Sequence, residues 1–329
     1  MSGPPDRELA IRASGLTKRF KDTLALDGVD LAVPRGTVHG LLGPNGAGKT
    51  TTVRILTTLT RVDTGTAEVS GHDVRTAPRQ VRRSIGLTGQ QPAVDDLLTA
   101  RQNLTMFGRL FRLDKAGARR RADELLEQFG LADAAARAPK KFSGGMRRRL
   151  DLAASMILSP QVLFLDEPTT GLDPAGRREV WQVVRRLAAE GTTVLLTTHY
   201  LDEADQLCDR ISVIHEGRNF VEDTPAGLKR RIGDERLEVT VSAVDDAHAV
   251  RELVTQVAGK EPDVDDVAGV LSVPVADGVG ALTAVAAELR ARRLDVADIG
   301  LRRPTLDEAF LQLTGTPVAG PAPIAQEAR

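Results

Sequence analysis

The sequence predicts an α/β fold with a parallel sheet and a helical insertion, followed by a smaller α+β domain. Three observations support this prediction. Short apolar runs, typical of strands that are buried on both faces, occur at 38–43, 162–165 and 193–198. A helical pattern covers about 96–137. From residue 236 onward, strand-like and helix-like segments follow one another in the order βαββαβ.

Composition limits the classes of protein to which the chain can belong. Its 329 residues are too many for one average domain, and 41% hydrophobic with 27% charged residues is typical of a soluble globular protein. A net charge of -1 provides no basic surface, so no nucleic-acid partner is expected. The single cysteine, Cys208, excludes an internal disulfide and favours a reducing cytoplasm. No run of about 18 apolar residues occurs, so membrane attachment is expected only through a partner.

The N-terminal part combines two kinds of strand with one helix. Residues 9–33 alternate between apolar and polar side chains, which is typical of antiparallel strands. The run VHGLLG at 38–43 predicts a short buried strand that leads into a glycine-rich turn, and 51–59 follows with helical spacing of its apolar residues. A strand, a glycine-rich turn and a helix in this order are the context that a phosphate-binding loop requires.

The middle of the chain continues the α/β pattern after the helical stretch. VLFL at 162–165 and TVLLTT at 193–198 predict two buried parallel strands, joined by the amphipathic helix REVWQVVRRLAAEG. The segment at 210–220 predicts a closing hairpin. Two arginine clusters, 119–121 and 147–149, are predicted to lie on solvated helix faces.

A change of composition near 232 and 233 marks a domain boundary. We therefore expect a first domain over 8–230, a second over 236–315, and a disordered tail, rich in proline and alanine, over 316–329. The βαββαβ order of the second domain predicts a ferredoxin-like fold.

The second domain is predicted to end in a helix over about 305–314. Thr305 and Glu308 have the spacing of a capping box at its start. Its apolar face would contain four side chains, those of Leu306, Ala309, Phe310 and Leu313.

A phosphate-binding loop is predicted at 43–51, where GPNGAGKTT matches the pattern G-x-x-x-x-G-K-[ST]. Its glycines let successive backbone N–H groups point toward phosphate oxygens, and the helix that follows adds a favourable dipole. We expect Lys49 to reach the β- and γ-phosphates of ATP and the Thr50 hydroxyl to ligate Mg²⁺. The predicted nucleotide-binding residues here are Gly43, Pro44, Asn45, Gly46, Ala47, Gly48, Lys49, Thr50 and Thr51.

Two carboxylates follow the apolar strand at 162–165. Asp166 lies at the carboxyl end of that strand, where α/β sheets place their ligands, and is predicted to hold Mg²⁺. Glu167 is then the candidate general base for the attacking water. The alternative interpretation is a solvated acidic pair that opens a turn before Pro168.

The segment FSGGMRRRLDLA at 142–153 resembles the LSGGQ signature of ABC ATPases. In that family, the signature forms a second anion site at a helix start and caps the γ-phosphate that the opposite protomer binds. The sequence departs from the pattern with Phe142 in place of Leu and Met146 in place of Gln, and the second change puts one nucleotide contact in doubt. The residues that would form this anion site are Ser143, Gly144 and Gly145.

Further positions match the same family in the same order. Asp173 in GLDP resembles the D-loop residue at the dimer seam, and His199 resembles the switch histidine that contacts the γ-phosphate. Gln90 in IGLTGQQP best fits the glutamine that faces Mg²⁺ and water, with the adjacent Gln91 as the alternative. Phe20 occupies the position of the aromatic residue that stacks on adenine; a core Phe on an edge strand is the alternative.

The resemblance covers about residues 9–230 and implies a P-loop nucleotide-binding domain of the ABC type with a helical subdomain. It implies a homodimer that binds two MgATP between its protomers. It also implies a separate integral-membrane permease, which contacts the transported substrate, and a peripheral position at the cytoplasmic face of the membrane. Residues 230–315, with LDEAFLQLTG at 306–315, resemble the C-terminal extension of the daunorubicin-resistance type, an antibiotic-export group. The expected function is the ATP-hydrolysing subunit of an exporter.

Two other functions are also compatible with the sequence. One is an importer ATPase whose C-terminal domain senses a ligand. The other is an ABC ATPase without a membrane partner, acting in DNA repair, chromosome maintenance or translation. The lack of sustained heptads between Lys49 and Ser143, and of cysteines beyond Cys208, argues against the second.

Overall fold

The computed structural model describes residues 8–231, 235–242, 246–265 and 268–302, together with 305, 306, 308 and 310. The chain divides into two compact units between Pro225 and Ala226. The tail predicted for 316–329 lies outside the described residues, as do two members of the last helix's predicted apolar face, Ala309 and Leu313. Among the parts of the chain that the structure describes, no helix is long and apolar enough to cross a bilayer.

The first unit contains two sheets. A four-stranded antiparallel sheet has the order β2-β1-β4-β5, and a six-stranded sheet has the order β10-β9-β3-β8-β7-β6. The strands of the first are β1 (Leu9–Phe20), β2 (Thr23–Pro34), β4 (Thr64–Val69) and β5 (His72–Asp73). Those of the second are β3 (Val38–Leu42), β6 (Ile85–Thr88), β7 (Val162–Asp166), β8 (Thr193–Thr198), β9 (Arg210–His215) and β10 (Arg218–Asp223).

The predicted apolar strands form the centre of the six-stranded sheet. Every residue of β3, β7 and β8 is buried, which confirms the prediction of strands covered on both faces. The predicted hairpin is also confirmed, because β10 pairs with β9 in antiparallel orientation. The sequence pattern predicted neither β4, which pairs with β1, nor β5, which pairs with β4 at the edge of the antiparallel sheet.

Seven α-helices of the described residues accompany these sheets, and an eighth, α8, begins at the boundary with the second unit. The first two, α1 and α2, follow β3 and β5, whereas α3, α4 and α5 pack on one another as a helical subdomain between β6 and β7. Their bounds are α1 (Lys49–Leu56), α2 (Pro78–Ser84), α3 (Ala100–Leu110), α4 (Lys115–Gln128), α5 (Gly144–Ser155), α6 (Pro174–Ala189), α7 (Leu201–Leu207) and α8 (Pro225–Arg231). Thr99 caps α3 in a complete capping box with Gln102, and Asp114 caps α4.

The order of the six-stranded sheet brings four chain segments to one edge. Strands β3, β8, β7 and β6 are parallel neighbours, so their carboxyl ends lie side by side. The loop at 43–48 follows β3, His199 follows β8, the carboxylates follow β7 and Gln90 follows β6. Ligands of α/β sheets bind at this edge, and the candidate site is therefore expected here.

The second unit contains one antiparallel sheet with two helices. Its elements are β11 (Arg236–Val241), α9 (Ala247–Ala258), β12 (Asp263–Asp265), β13 (Val270–Pro274), α10 (Gly278–Arg292) and β14 (Val296–Arg302). The predicted βαββαβ order is confirmed, and the sheet has the order β12-β13-β11-β14. Its own core includes Leu237 and Val239 of β11, Leu253 of α9 and Leu289 of α10.

The capping box predicted at Thr305 is also confirmed. The Thr305 N–H donates to Glu308 Oε2 (2.9 Å), and the Glu308 N–H donates to Thr305 Oγ1 (3.2 Å). Arg302 donates to both oxygens of the same Glu308 carboxylate, which lowers the pKa of that carboxyl. Leu306 and Phe310, two members of the predicted apolar face, are buried.

Candidate functional site

The phosphate-binding loop turns back on itself at a residue where only glycine fits. Gly48 precedes α1 with φ of 108°, in the left-handed region. A Cβ atom at this position would lie 2.7 Å from the Ala25 carbonyl oxygen and 2.6 Å from Leu26 Cδ2, both in β2. Strand β2 therefore supports the loop from behind, and no larger residue could replace Gly48 without moving it.

Lys49 places a buried cation inside this loop. Its Nζ donates to the carbonyl oxygens of Gly43 (2.7 Å) and Pro44 (3.1 Å). Burial lowers the pKa of the Lys49 ammonium, and the nearby Glu167 and Asp166 carboxylates oppose that shift. The loop opens into a cleft of about 210 Å³, which is lined by Ala25, Asn45, Gly46, Ala47, Gly48, Lys49, Thr50, Thr51, Gln90 and Glu167.

Asp166 is held in place by hydroxyl groups from two other elements. Its Oδ1 accepts from Thr197 Oγ1 of β8 (2.6 Å) and from Thr50 Oγ1 of α1 (3.2 Å). The Asp166 carboxylate, the Thr50 hydroxyl and the Gln90 side chain contain oxygen atoms, the type of ligand that Mg²⁺ prefers. The residues that the structure describes contain no cluster of three or more His, Cys, Asp or Glu side chains suited to a metal. The Asp166 carboxylate and the Thr50 hydroxyl, 3.2 Å apart, are compatible with an oxygen-ligated ion.

Glu167 has an unusual backbone conformation. Its φ is 50°, in the left-handed region, where a residue with a long side chain is uncommon. The Glu167 N–H donates to the backbone oxygen (3.1 Å) and to Oγ1 (3.0 Å) of Thr197, which holds the residue in this conformation. Strained conformations of this kind cluster at functional sites.

The side chain of Glu167 points toward His199. Its Oε1 lies 3.4 Å from His199 Nδ1, and its Oε2 accepts from Thr170 Oγ1 (3.3 Å). His199 Nδ1 has no hydrogen-bond partner within the described parts of the chain. The two residues follow neighbouring strands, β7 and β8, and their proximity is a direct consequence of the sheet order.

The glutamine predicted for the loop after β6 is at the cleft. Gln90 lines it together with Lys49 and Glu167, whereas the lining that the described residues form does not include Gln91. The geometry thus favours Gln90 over Gln91 as the residue that faces the nucleotide site.

The signature residues lie at the start of α5. Ser143 caps this helix by accepting from the Met146 N–H (3.2 Å), and both Ser143 and Gly144 are exposed. Gly145 is buried against α6: a Cβ atom there would lie 3.1 Å from Gly176 Cα and 3.0 Å from Glu179 Oε2. Helix packing therefore also favours glycine at position 145, which the motif alone did not indicate.

Some predicted site residues are not brought to the cleft of their own chain. Of the described residues, those that line it do not include Ser143, Gly144, Gly145, Asp173 or Phe20. Four other predicted residues are also outside the lining, but each contacts Lys49, Thr50 or Glu167, which belong to it: Gly43, Pro44, Asp166 and His199. Asp173 caps α6 by accepting from the Gly176 N–H (2.9 Å). Phe20 lies at the β1–β2 turn with 46% of its surface exposed, so the alternative of a core phenylalanine is wrong. Lys18 Nζ lies 5.3 Å from the centre of its ring.

Sequence reasoning missed two residues that position the site. Thr197 contacts both carboxylate residues, as described above, and its only signal in the sequence was its place at the end of an apolar strand. Arg148 was predicted to lie on a solvated helix face, and that prediction is wrong because only 8% of its surface is exposed. Arg147 and Arg149 are half-buried and also contact backbone carbonyl groups.

Comparison with known proteins identifies relatives over almost the whole chain. Residues 26–170 match the family described as ABC transporter. Daunorubicin resistance ATP-binding protein DrrA2 of Streptomyces coeruleorubidus is 60% identical over 93% of this chain and 95% of its own length. Doxorubicin resistance ATP-binding protein DrrA of Mycobacterium tuberculosis (strain ATCC 25618 / H37Rv) is 46% identical over 94% of this chain and 95% of its own length.

Solved structures resemble the first part of the fold. The ATP-binding subunit of an ABC transporter is 28% identical and covers 68% of this chain and 92% of its own, with a TM-score of 0.60. An ATP-binding cassette solved as a dimer in a post-hydrolysis state, with ADP and Pi, is 26% identical and covers 65% of this chain and 98% of its own, with a TM-score of 0.58. The chain therefore belongs to the ABC transporter family, as an ATP-binding protein closely related to those named for daunorubicin resistance.

Proposed function

We propose that this ABC ATPase is the energy-coupling subunit of an exporter for drugs or antibiotics. The relatives named for daunorubicin and doxorubicin resistance align with more than nine-tenths of the chain, and the export role rests on them. The observation that carries the catalytic part is the convergence of Lys49, Gln90 and Glu167 on one cleft. An importer with a ligand-sensing domain is the less favoured function, because these relatives are resistance proteins.

The residues that line the cleft or contact its lining would divide the work of hydrolysis among them. The loop at 43–51 binds the phosphates through backbone N–H groups, with Lys49 reaching the β- and γ-phosphates. Thr50, Asp166 and Gln90 are the proposed ligands of Mg²⁺, which when bound neutralises charge on the phosphate oxygens. Glu167 accepts a proton from the attacking water, and His199 lies beside it to contact the γ-phosphate.

The remaining predicted residues are proposed to complete the site of a second protomer. Ser143 is exposed at a helix start, where backbone N–H groups attract anions, and it does not line the cleft of its own chain. A homodimer in which Ser143, Gly144 and Gly145 of one chain cap the ATP of the other would explain this separation. The structural relative that was solved as a dimer supports such an arrangement.

The wider assembly follows from this role. We propose that domain 8–230 binds ATP, that domain 236–315 is ferredoxin-like, and that the dimer docks on a separate integral-membrane permease. The strand order β12-β13-β11-β14, with one helix in each crossover, supports the ferredoxin-like proposal. The protein would then be peripheral, on the cytoplasmic face of the membrane, and the transported substrate would contact the permease.

Replacement of the candidate base tests the proposed function. Glu167→Gln keeps the shape of the side chain and removes its basicity, so MgATP should bind normally while turnover falls by about a hundredfold or more. The ATP-bound dimer should then accumulate, which gel filtration with and without ATP detects. The matched control is Glu190→Gln at the end of α6. Within the described residues, this carboxylate accepts a hydrogen bond only from the Gln128 side chain.

Export is tested in cells that contain the chain and its permease. Wild-type protein should lower the accumulation of daunorubicin, and Glu167→Gln should abolish that effect at equal expression. Near-normal turnover by Glu167→Gln would remove this residue from the mechanism. Unchanged drug accumulation with active wild-type ATPase and permease would refute the role in drug export.

A further inference from the structure

Arg148 donates to four backbone carbonyl groups from two segments of the site. It lies in the second turn of the signature helix α5, and its Nε donates to the Pro168 oxygen (2.7 Å). Its Nη2 donates to the oxygens of Asp166 and Glu167, both at 3.3 Å. Its Nη1 donates to the Gly89 oxygen (2.8 Å), directly before Gln90. One guanidinium therefore joins α5 to the carboxylate segment and to the glutamine loop.

Asp151, one turn further along α5, completes the connection to the glutamine loop. Its Oδ2 lies 3.5 Å from Arg148 Nη1, and its Oδ1 accepts from the Ala93 N–H (2.8 Å). Only 3% of its surface is exposed. The pair thus contacts both ends of the segment 89–93, which contains Gln90.

The cost of burying this pair argues that its geometry matters. Burial lowers the pKa of the Arg148 guanidinium and raises that of the Asp151 carboxyl, which means that each charge is penalised by its surroundings. A buried ion pair is often no more stabilising than apolar residues of similar volume. The planar fork of arginine can bind several carbonyl groups at fixed angles, which lysine cannot reproduce.

The carbonyl groups that Arg148 binds belong to the strained part of the chain. Glu167, with φ of 50°, lies between Asp166 and Pro168, and Arg148 binds all three of these residues. On the other side of Glu167, Thr197 binds its N–H. The backbone at Glu167 is therefore held from two sides, by β8 and by α5.

We infer that Arg148 is a positioning residue for ATP hydrolysis, which acts through backbone carbonyl groups to hold Glu167 and Gln90 in one arrangement relative to the signature helix. The inference deepens the proposed function and rests on the roles assigned there to Glu167 and Gln90. Because Arg148 is part of α5, a shift of this helix would move the carbonyl groups that hold Glu167 and Gln90. The same helix begins at Ser143, so these two residues are also linked to the signature segment. Arg148 contacts neither nucleotide nor water in this role.

The first test is replacement of Arg148 by methionine, which keeps an unbranched apolar stem and removes the donors of the guanidinium. The affinity for ATP should stay within about threefold of wild type, because the loop at 43–51 is intact. The kcat should fall by between about tenfold and about a hundredfold, since small displacements of catalytic groups have effects of this size. Arg148→Lys should recover part of the loss, because the charge remains but the fork is lost.

The chain offers a closely matched control in Arg121→Met. Arg121 of α4 donates to the carbonyl oxygens of Met156 and Ile157, at the opposite end of α5, and pairs with Glu124 three residues along its own helix. Replacing Arg121 removes hydrogen bonds to backbone carbonyl groups, as replacing Arg148 does, but these carbonyl groups do not belong to the segments at the cleft. The control should reduce the free energy of unfolding but leave kcat per folded molecule within about threefold of wild type.

The outcomes separate a positioning role from a structural one. A kcat for Arg148→Met within about threefold of wild type, or an equal loss of kcat in Arg121→Met, would overturn the inference. If Arg148→Met does not fold, Arg148→Lys and Asp151→Asn decide by the same split between kcat and ATP affinity. In the Glu167→Gln background, Arg148→Met should add little to the loss measured in single turnover, because both changes act on one group.

Failure of the inference can be told apart from failure of the proposed function. If Glu167→Gln abolishes turnover and Arg148→Met leaves it intact, only the positioning role is lost. If Glu167→Gln leaves turnover intact, the role of Glu167 is refuted, and with it the group through which Arg148 is inferred to act.

Discussion

At the scale of single residues, His39 is a buried group that the candidate site does not use. It lies in β3 with 1% of its surface exposed, and its Nε2 lies 2.8 Å from Ser212 Oγ. Its Nδ1 has no hydrogen-bond partner among the residues that the structure describes. Burial lowers the pKa of His39 to about 4, and the nearby Glu222, Arg210 and Asp209 modify this shift. The protonated form is therefore disfavoured in the folded state.

This shift predicts a pH dependence of stability. Between the unfolded pKa of 6.5 and the folded pKa of about 4, the unfolded chain binds a proton that the folded chain does not. The contribution of neutral His39 is thus fully present above pH 6.5 and is lost as the pH falls toward 4, by about 3 kcal/mol in total. Urea unfolding of the first unit at several pH values should show that His39→Gln is less sensitive to acid in this range than wild type.

The neighbouring strand supplies a control for this measurement. His215→Gln, at the end of β9, leaves His39 in place and should keep the wild-type slope between pH 4 and pH 6.5. Equal slopes in wild type and His39→Gln would contradict the assignment of the acid sensitivity to His39.

At the scale of elements, the first turns of α5 and α6 lie against each other. Each helix has a side-chain cap, Ser143 for α5 and Asp173 for α6. Gly145 lets the two backbones approach, because a Cβ atom there would lie 3.1 Å from Gly176 Cα. Two motifs that are distant in sequence, FSGG and GLDP, are therefore parts of one packed structure.

Asp173 should have an effect on stability that can be separated from its proposed place at the dimer seam. Asp173→Ala removes the acceptor for the Gly176 N–H and should lower the free energy of unfolding by about 1 kcal/mol. Asp173→Asn keeps an equivalent cap and should cost only a few tenths of this amount. Urea unfolding of the monomer measures both changes.

Dimer formation then reports on the charge of Asp173. Dimers are measured with ATP, in chains that also contain Glu167→Gln. If the dimer seam needs the carboxylate, Asp173→Asn should form weaker dimers although its stability is normal. If dimers of Asp173→Asn are as strong as those of the chain with Asp173, helix capping is sufficient to explain why an aspartate occupies this position. A full loss of stability in Asp173→Asn would contradict the capping assignment.

At the scale of the whole molecule, the separation of Ser143 from the cleft predicts that each active site is shared. Lys49→Ala should cripple phosphate binding, and Ser143→Arg should block the anion site at α5. A mixed dimer of the two variants collects both lesions in one site and leaves the other intact. Mixing the two inactive proteins should therefore restore about one occluded ATP per mixed dimer.

Retained labelled nucleotide is the appropriate measurement, with Glu167→Gln added to both chains to prevent release. Ser143→Arg also removes a helix cap, and Asp114→Arg, which removes the cap of α4, controls for that loss. The control should occlude ATP without a partner variant. No recovery in chains that are shown to exchange would place Ser143 in the site of its own chain.

The features that are local or periodic could be predicted from the sequence. The loop at 43–51, the buried strands around it, the βαββαβ order and the capping box at Thr305 were all predictable from short segments. Their physical basis lies within a few residues: glycine permits a left-handed turn, full apolar runs need burial on both faces, and a cap satisfies its own helix. The order of the motifs was sufficient to identify the family.

The choice among several similar residues depends instead on how the chain folds. Gln90 and Gln91 are adjacent and identical in type, yet the end of β6 directs only the first toward the cleft. Arg147, Arg148 and Arg149 form one cluster in the sequence, but the helix turns Arg148 inward, where it meets carbonyl groups 59 and 18 to 20 positions away. Thr197 and Gly145 owe their roles to strands and helices that meet only in the folded chain. Such contacts depend on which faces pack together, and a local pattern of residue types does not contain that information.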